Sequence, residues 1–228
     1  MTDLKDMNIP DNPHQQWFAE VWRSREEEIY PRLFSASASG IFKISDQLFQ
    51  MLGQTEIDPR WKTLNVLYFA PTTPDGGHIY VTNGLSTPWG LIPDKANPRE
   101  YSGLGFEFFM QFSQRSDFAG SVLLWLAAVQ TLTGCGLLEG ELVGPLDRVA
   151  LGRPITGNSP LISLFLFPPE ELPPQFQLAS GCVDLLCMTG ITAAEADFAR
   201  SQGSEVLLEL LRHHECLSRT NIHRVSVV

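Results

Sequence analysis

Histidine and cysteine side chains near the carboxyl end of the sequence are the first candidates for chemistry, because both residue types bind zinc. His213 and Cys216 are three residues apart and would share one face of a helix, with His214 beside them. Zinc needs about four ligands from well-placed pairs, but Cys182 and Cys187 would lie on opposite faces of a strand. A histidine-rich helix end is already explained by its favourable interaction with the helix dipole. The sequence therefore predicts no metal site and no cofactor.

Three further side chains could act as acids or bases: Glu107, His78 and Asp147. Glu107 is flanked by Phe106 and Phe108, and a carboxylate in so apolar a segment needs a hydrogen-bonding or ionic partner if it is buried. A structural acid with its bonds satisfied is the simpler explanation, since structural pairs perturb acids as readily as active sites do. A hydrolase-like enzyme that uses these three residues is the alternative hypothesis, although none has a visible triad or ligand partner.

Motifs for nucleophilic catalysis or phosphate binding do not occur in the sequence. Ser37 and Ser159 lack the glycines on both sides that permit a strained nucleophile elbow. Neither Gly-x-Gly-x-x-Gly nor a Walker-type Gly-Lys-Ser/Thr is present. We therefore expect no catalytic residues and predict that the protein is not an enzyme.

The composition bounds the class of protein. The chain has 228 residues and is 43% hydrophobic, which is enough to fill a core and excludes disorder along its whole length. Only 18% of the residues are charged, yet 26 acidic against 16 basic residues leave a formal net charge of -10. A nucleic-acid binder would need a basic face, whereas Arg23 and Arg25 lie beside the acidic run 26–28, which we interpret as a solvated helix face. No nucleic-acid partner is expected.

The sequence indicates neither secretion nor membrane insertion. Residues 1–10 lack a basic region followed by an apolar stretch, and the longest fully apolar run, 122–129, is too short to span a bilayer. The four cysteines show no disulfide-framework spacing, which fits a reducing compartment. We expect a cytoplasmic protein that does not bind membranes.

The elements that would position these side chains follow from hydrophobic spacing. A helix is predicted near the start and is limited by Pro31; its apolar positions are Phe18, Trp22, Ile29 and Leu33. Residues 64–69 and 78–82 predict a β-hairpin, because the loop between them is rich in proline and glycine. Residues 88–98 form a second loop, in which Trp89 is a candidate for an exposed aromatic side chain.

The second half of the chain predicts more buried elements. Residues 105–112, 161–167 and 182–188 are typical of core strands, and 120–133 of a buried helix that ends at Gly134. Two helices follow, the first with a capping box from Thr192 to Glu195 and the second capped by Ser204. The inward stripe predicted for the last helix consists of Val206, Leu207, Leu210 and Leu211. Together these elements predict an α+β fold, a single domain with a central mixed, largely antiparallel sheet flanked by helices.

The order of several short motifs resembles the suppressor of fused domain family. The motifs are, in chain order, residues 78–86, Trp89-Gly90, residues 103–108, Pro145-Leu146-Asp147, residues 189–195, Gly203 and residues 207–212. The resemblance covers most of the chain, and it divides the sequence into a polar N-terminal lead at 1–12 and a suppressor-of-fused-like domain at 13–228.

The resemblance implies a protein-binding domain of mixed α and β structure with no established catalytic activity. Animal members hold a transcription factor by a short extended peptide between this domain and a second lobe, and the present sequence stops where the first lobe ends. Bacterial single-domain members include immunity proteins of polymorphic toxin systems. The expected partner is another protein, with a basic toxin domain as one candidate, and homo-oligomerisation stays open. The candidate partner-binding residues are His78, Tyr80, Trp89, Glu107 and Asp147.

Overall fold

The computed structural model describes residues 13–90, 93–217 and 219–228, so the lead predicted at 1–12 lies outside the described residues. The N-terminal segment consists of helix α1 (Pro13–Arg23), a π-helical turn (Ser24–Ile29) and helix α2 (Tyr30–Phe34). Pro31 lies in the first turn of α2, directly after the π-helical turn, and it has no backbone amide to donate. The predicted N-terminal helix is confirmed, and it ends soon after Pro31 as expected.

An eight-stranded sheet forms the centre of the fold. Its first strands are β1 (Gly40–Lys43), β2 (Asn65–Phe69), β3 (His78–Asn83) and β4 (Tyr101–Phe112), with helix α3 (Asp46–Met51) after β1 and 3-10 turns at Pro59–Thr63 and Pro93–Lys95. Helix α4 (Asp117–Gly134) precedes β5 (Arg148–Ala150), β6 (Leu161–Phe167), β7 (Gln175–Leu178) and β8 (Gly181–Thr192), and the last helices are α5 (Ala193–Gln202) and α6 (Ser204–His213).

The sheet is mixed and largely antiparallel, which confirms the predicted fold class. The strand order is β1-β2-β3-β4-β8-β6-β5, and β7 pairs with β8 outside this path. Within the described residues, β4 and β8 form the only parallel strand pair. The two long central strands therefore join an N-terminal antiparallel half to a C-terminal one.

Two hydrophobic cores cover the two faces of the sheet. Successive residues of a strand point to opposite faces, and Phe108 of β4 belongs to one core together with Leu123 of α4. Phe109 belongs to the other core, together with Ile29 of the π-helical turn and Leu207 of α6. No helix in the described parts of the chain has the length and apolar character needed to cross a membrane.

The C-terminal segment is tied to the start of α5 through Glu195. The predicted capping box is present, because the Thr192 hydroxyl accepts a hydrogen bond from the Glu195 amide and the Glu195 carboxylate accepts one from the Thr192 amide. The same carboxylate, which is fully buried, forms an ion pair with Arg224 and accepts the Val227 amide at 3.0 Å. The last residues of the chain are thereby fastened to a helix cap.

The C-terminal segment also completes the sheet where β4 and β8 separate. Thr220 forms a parallel bridge with Phe112, and its amide donates to the Gln111 carbonyl at 2.8 Å. On the other side, the Thr220 hydroxyl contacts the hydroxyl of Thr189 at 3.3 Å. This segment is therefore part of the packed fold.

The last helix differs from the prediction in two details. Gly203, with a φ of 103°, is its N-cap, and Ser204 forms no side-chain cap because its hydroxyl accepts a hydrogen bond from Arg148 Nη1 at 2.6 Å. The predicted inward stripe is only partly correct: Leu207 is fully buried, whereas Val206 is 49% exposed.

Candidate functional site

The backbone ladder between β3 and β4 stops before either strand ends. Its register runs from His78 opposite Phe112 to Val81 opposite Phe109. Beyond that point the Thr82 hydroxyl accepts the Phe108 amide at 2.8 Å in place of a backbone carbonyl. The chain after β3 therefore departs from the sheet and needs other hydrogen-bond partners.

Glu107 supplies these partners. Its side chain is fully buried, and its carboxylate accepts hydrogen bonds from the Gly84 amide at 3.0 Å and from the amide and hydroxyl of Ser86 at 2.9 and 2.6 Å. The Thr82 hydroxyl donates a further bond at 2.6 Å. An unpaired buried amide costs about 1–3 kcal/mol, so this carboxylate stabilises the departure of the chain from β3. The hydrogen-bonding partners expected for a buried Glu107 are thus found in the turn that follows β3.

Arg25 balances the charge of Glu107. It projects from the π-helical turn, is fully buried, and places Nη1 3.6 Å from Glu107 Oε1. Its Nε donates to Asn83 Oδ1 at 2.6 Å, and Nη1 donates to the Ser86 hydroxyl at 2.8 Å. We call Arg25, Thr82, Asn83, Ser86 and Glu107 the Arg25–Glu107 network. The network joins the N-terminal helices to the chain that leaves β3.

Glu26 adds a second carboxylate at the margin of this network. Its Oε1 accepts hydrogen bonds from Trp22 Nε1 at 2.6 Å and from the Asn83 side-chain amide. Burial raises the pKa of Glu26 above its ordinary value, and the bonds from Asn83 and Trp22 offset this rise only in part. The acidic run 26–28 is therefore not wholly a solvated face: Glu27 and Glu28 are exposed, whereas Glu26 is half-buried.

The segment that the network holds, 84–90, forms one wall of a cavity. The cavity has a volume of about 260 Å³ and is lined by Arg60, Trp61, Gly84, Leu85, Thr87, Trp89, Gly90, Gly103, Leu104, Thr131, Gly134 and Cys135. Trp89 is half-buried, and its ring lies 4.6 Å from that of Phe18 in α1. Trp89, the predicted exposed aromatic side chain, therefore packs against Phe18 and is only partly exposed.

The cavity wall depends on a close approach of two backbones at Gly103. A Cβ there would lie 2.5 Å from the Leu85 carbonyl oxygen, and the φ of 59° is left-handed. The next amide, that of Leu104, donates to the same carbonyl at 2.8 Å. A glycine is therefore needed at position 103, and the segment next to it is fixed to β4.

The other predicted site residues lie elsewhere on the sheet. His78 is half-buried, with Nδ1 2.8 Å from the Tyr68 hydroxyl. Tyr80 is fully buried, and its hydroxyl accepts the Ser116 amide at 2.8 Å. Asp147 is exposed and accepts the Gly144 amide at 2.7 Å.

These residues do not converge on Glu107. His78 pairs with Phe112, five residues along β4 from Glu107, which is about 16 Å at the rise of a strand. Asp147 leads into β5, three positions from β4 in the strand order, which is about 14 Å at the usual strand spacing. The structure therefore does not unite His78, Asp147 and Glu107 in one site. The described residues also contain no group of three or more potential metal ligands.

Sequence reasoning missed Arg25. Arg25 lies next to the acidic run 26–28 and was therefore interpreted as part of a solvated face. However, Phe18, Trp22, Arg25 and Ile29 are spaced by four, three and four residues. This spacing places Arg25 on the apolar face of the helix. A lone arginine on that face was the available signal for a buried acidic partner.

The chain belongs to the suppressor of fused family, because the family model described as Suppressor of fused protein (SUFU) matches residues 60–225. The network unites Ser86 and Glu107, which lie inside that range, with Arg25, which precedes it. No curated protein matches the chain by sequence.

Solved structures of suppressor of fused proteins share this fold. A Sufu protein in a Sufu–Fu complex is 15% identical, with a TM-score of 0.57 over 79% of this chain and 88% of that one. Drosophila Suppressor of Fused is 16% identical, with a TM-score of 0.56 over 79% of this chain and 49% of its own. A SUFU homologue from Neisseria gonorrhoeae is 16% identical, with a TM-score of 0.56 over 94% of this chain and 97% of its own.

Proposed function

We propose that this chain is a non-enzymatic protein-binding domain that sequesters a partner protein, as a toxin-immunity protein or another regulator. The observation that carries the proposal is the Arg25–Glu107 network, in which the most catalytic-looking carboxylate is fully buried and bonded to a turn. Such a carboxylate holds the buried turn that leads to Trp89, and it has no exposed oxygen for a substrate. Family membership and a neighbour solved as a Sufu–Fu complex support a protein partner.

The candidate partner-binding residues take two roles in this proposal. Trp89, His78 and Asp147 have exposed surface and can touch a partner directly. Glu107 and Tyr80 are fully buried, so they act by holding the loops beside them. The proposal treats residues 13–228 as one domain that works in the cytoplasm.

The excess of acidic residues favours a basic partner. A net charge of -10 attracts a protein of opposite charge and raises the rate of encounter more than the affinity. A basic toxin domain has the required charge, and its neutralisation would need no catalysis by this chain.

Co-expression with the products of neighbouring genes, followed by affinity capture and a growth assay, tests the proposal. We expect one product to co-purify with the wild-type chain and its toxicity to be relieved. Trp89→Ala should weaken the complex, whereas Val206→Ala, at an exposed site on α6, should not. Failure to recover any protein partner under all conditions contradicts the proposal.

An activity screen separates this proposal from the alternative of an enzyme. His78→Ala and Glu107→Gln are compared with wild type for turnover of ester, peptide and phosphate substrates, with folding checked by circular dichroism. Wild-type turnover that disappears in a folded variant would establish that the protein is an enzyme. We expect no turnover by the wild-type protein.

A further inference from the structure

We propose that the cavity beside Trp89 receives one uncharged apolar side chain, preferably aromatic, from a basic surface of the partner protein. This inference rests on the proposed function and specifies what the binding surface recognises. Single anchors of this kind in preformed pockets carry much of the energy of protein interfaces.

The chemistry of the lining selects an uncharged occupant. Trp61, Leu85, Trp89 and Leu104 provide apolar surface. Arg60 is the only charged residue among the described residues that line the cavity, and Asp58 neutralises it through bonds from Arg60 Nε at 2.9 and 3.0 Å. A charged occupant would lose hydration without gaining a free counterion. An apolar group gains about 25 cal/mol for each Å² that it buries.

The size of the cavity fits one side chain. An apolar cavity of about 150 Å³ holds a benzene molecule, and typical small-molecule sites begin at about 300 Å³. At about 260 Å³, this cavity has room for one aromatic ring and its linker.

The wall of the cavity is formed before a partner arrives. Glu107 holds the amides of Gly84 and Ser86, and the Leu85 carbonyl is bonded to Leu104 in β4. A rigid wall does not collapse into the space, and it loses little conformational entropy on binding. The cavity is therefore suited to act as a receptor for an anchor.

The surroundings of the cavity favour a basic surface around that anchor. Cys135 lines the cavity and is exposed. Glu139 and Glu141 follow it in the same loop and are both exposed. The net charge of -10 therefore favours a partner whose surface around the inserted apolar side chain is basic.

Disulfide exchange at Cys135 tests the cavity without a partner. The wild-type protein is incubated with two probes, phenethyl and aminoethyl disulfides of cysteamine, under increasing 2-mercaptoethanol, and peptide mapping measures the adduct at each cysteine. We expect Cys135 to retain the phenethyl group at a tenfold or higher reductant concentration than the aminoethyl group. Equal retention of both groups at Cys135 would overturn the proposal.

Two glycine substitutions give a matched comparison. Gly90 lines the cavity, and Gly157 lies elsewhere; an added Cβ meets nothing within 4 Å at either position. Gly90→Leu should abolish the preference for the phenethyl probe, and Gly157→Leu should leave it unchanged. If Gly90→Leu is unfolded, Cys135→Trp replaces it as the plug and is read by the affinity of the partner. If the folded variant changes neither the preference for the phenethyl probe nor the affinity for the partner, the inference is contradicted.

The partner found by co-expression separates the inference from the proposed function. If the partner binds wild type and Gly157→Leu tightly but Gly90→Leu at least tenfold more weakly, both stand. If Gly90→Leu binds as tightly as wild type, the pocket proposal fails and the protein-binding function stands. If no partner exists but the phenethyl preference does, the pocket is real and the proposed function fails.

Discussion

At the scale of single residues, Arg25 and Glu107 depend on each other because both are fully buried. Removing one partner of a buried ion pair costs about 3–5 kcal/mol, since the other charge is left without compensation. We therefore expect Arg25→Met to lower the free energy of unfolding by about that amount in urea denaturation at pH 7. Arg23→Met, at the exposed neighbouring position, is the control and should change it by about 0.5 kcal/mol or less.

The double variant Arg25→Met/Glu107→Gln separates pairing from packing. Both charges are removed, and the carboxamide oxygen introduced at position 107 can still accept the Gly84 and Ser86 amides that bond to Glu107 Oε1 in the wild type. The double variant should be more stable than Arg25→Met alone. If it is less stable, the Glu107 carboxylate stabilises the turn through its hydrogen bonds even without Arg25, and an unpaired buried charge does not explain the loss in Arg25→Met.

Glu26 permits a test in which removing a buried charge is expected to preserve or raise stability. Burial raises its folded-state pKa above 4.5, so its contribution to stability is full below that ordinary value and is lost as pH rises through the folded pKa. Glu26→Gln keeps an oxygen that accepts from Trp22 and Asn83, and it removes the buried charge. We expect the variant to be at least as stable as wild type at pH 7 and to lose this advantage near pH 4.

Thermal unfolding from pH 4 to pH 7 measures this effect. Glu27→Gln is the matched control, because Glu27 is exposed on the same turn. A Glu26→Gln protein that is clearly less stable than wild type at pH 7 would show that the carboxylate charge strengthens the network.

At the scale of elements, the C-terminal segment and α5 share the Glu195 carboxylate. Burial raises the pKa of Glu195, but the bonds from Arg224, Thr192 and Val227 outweigh burial, and the pKa lies below its ordinary value. The stability that Glu195 contributes is therefore present above the ordinary carboxyl pKa and is lost as pH falls through the folded one. Acid should loosen this junction, and neutral pH should hold it.

Arg224→Met should release the C-terminal segment while α5 remains folded. The variant removes the ion pair to Glu195 and leaves the capping box with Thr192 intact. We expect the Val227 amide to exchange its hydrogen at least tenfold faster in the variant, with unchanged protection inside α5. Equal loss of protection in both would mean that they unfold as one unit.

The elements also show how far the sequence determined the fold. The capping box was predictable because its bonds join residues three apart, and the hairpin was predictable because strands and turn have local signatures. Ser204 was mistaken for a cap because the sequence did not place Arg148 beside its hydroxyl. Glu107 was recognised as needing a partner, and the spacing around Arg25 signalled a buried arginine. The pairing of the two, which are 82 residues apart in sequence, and the bonds from Glu107 to the Gly84 and Ser86 amides could be identified only from the folded chain.

At the scale of the whole molecule, the scarcity of charge and the acidic excess have separate causes. Two cores cover both faces of the sheet, so many residues of the central strands and α4 are apolar. The remaining charges are mostly on the surface and leave a net charge of -10. The low charge content therefore belongs to the fold, and the acidic excess is available to a partner.

If the partner is basic, its association rate should fall as salt is added. The Debye length shortens from about 30 Å at 0.01 M to about 8 Å at 0.15 M ionic strength, which weakens long-range attraction to a protein of charge -10. Stopped-flow measurement should show association slowing about tenfold or more over that range, with a smaller change in dissociation. The double variant Glu139→Gln/Glu141→Gln should reduce this salt dependence, because it removes two exposed charges in the loop that follows Cys135, which lines the cavity. The control is Glu27→Gln/Glu28→Gln, which removes the same charge at two exposed positions of the N-terminal helical segment. A larger effect of the Glu139/Glu141 variant on the salt dependence would place the basic surface of the partner near the cavity. Equal effects of the two variants would assign the attraction to net charge alone.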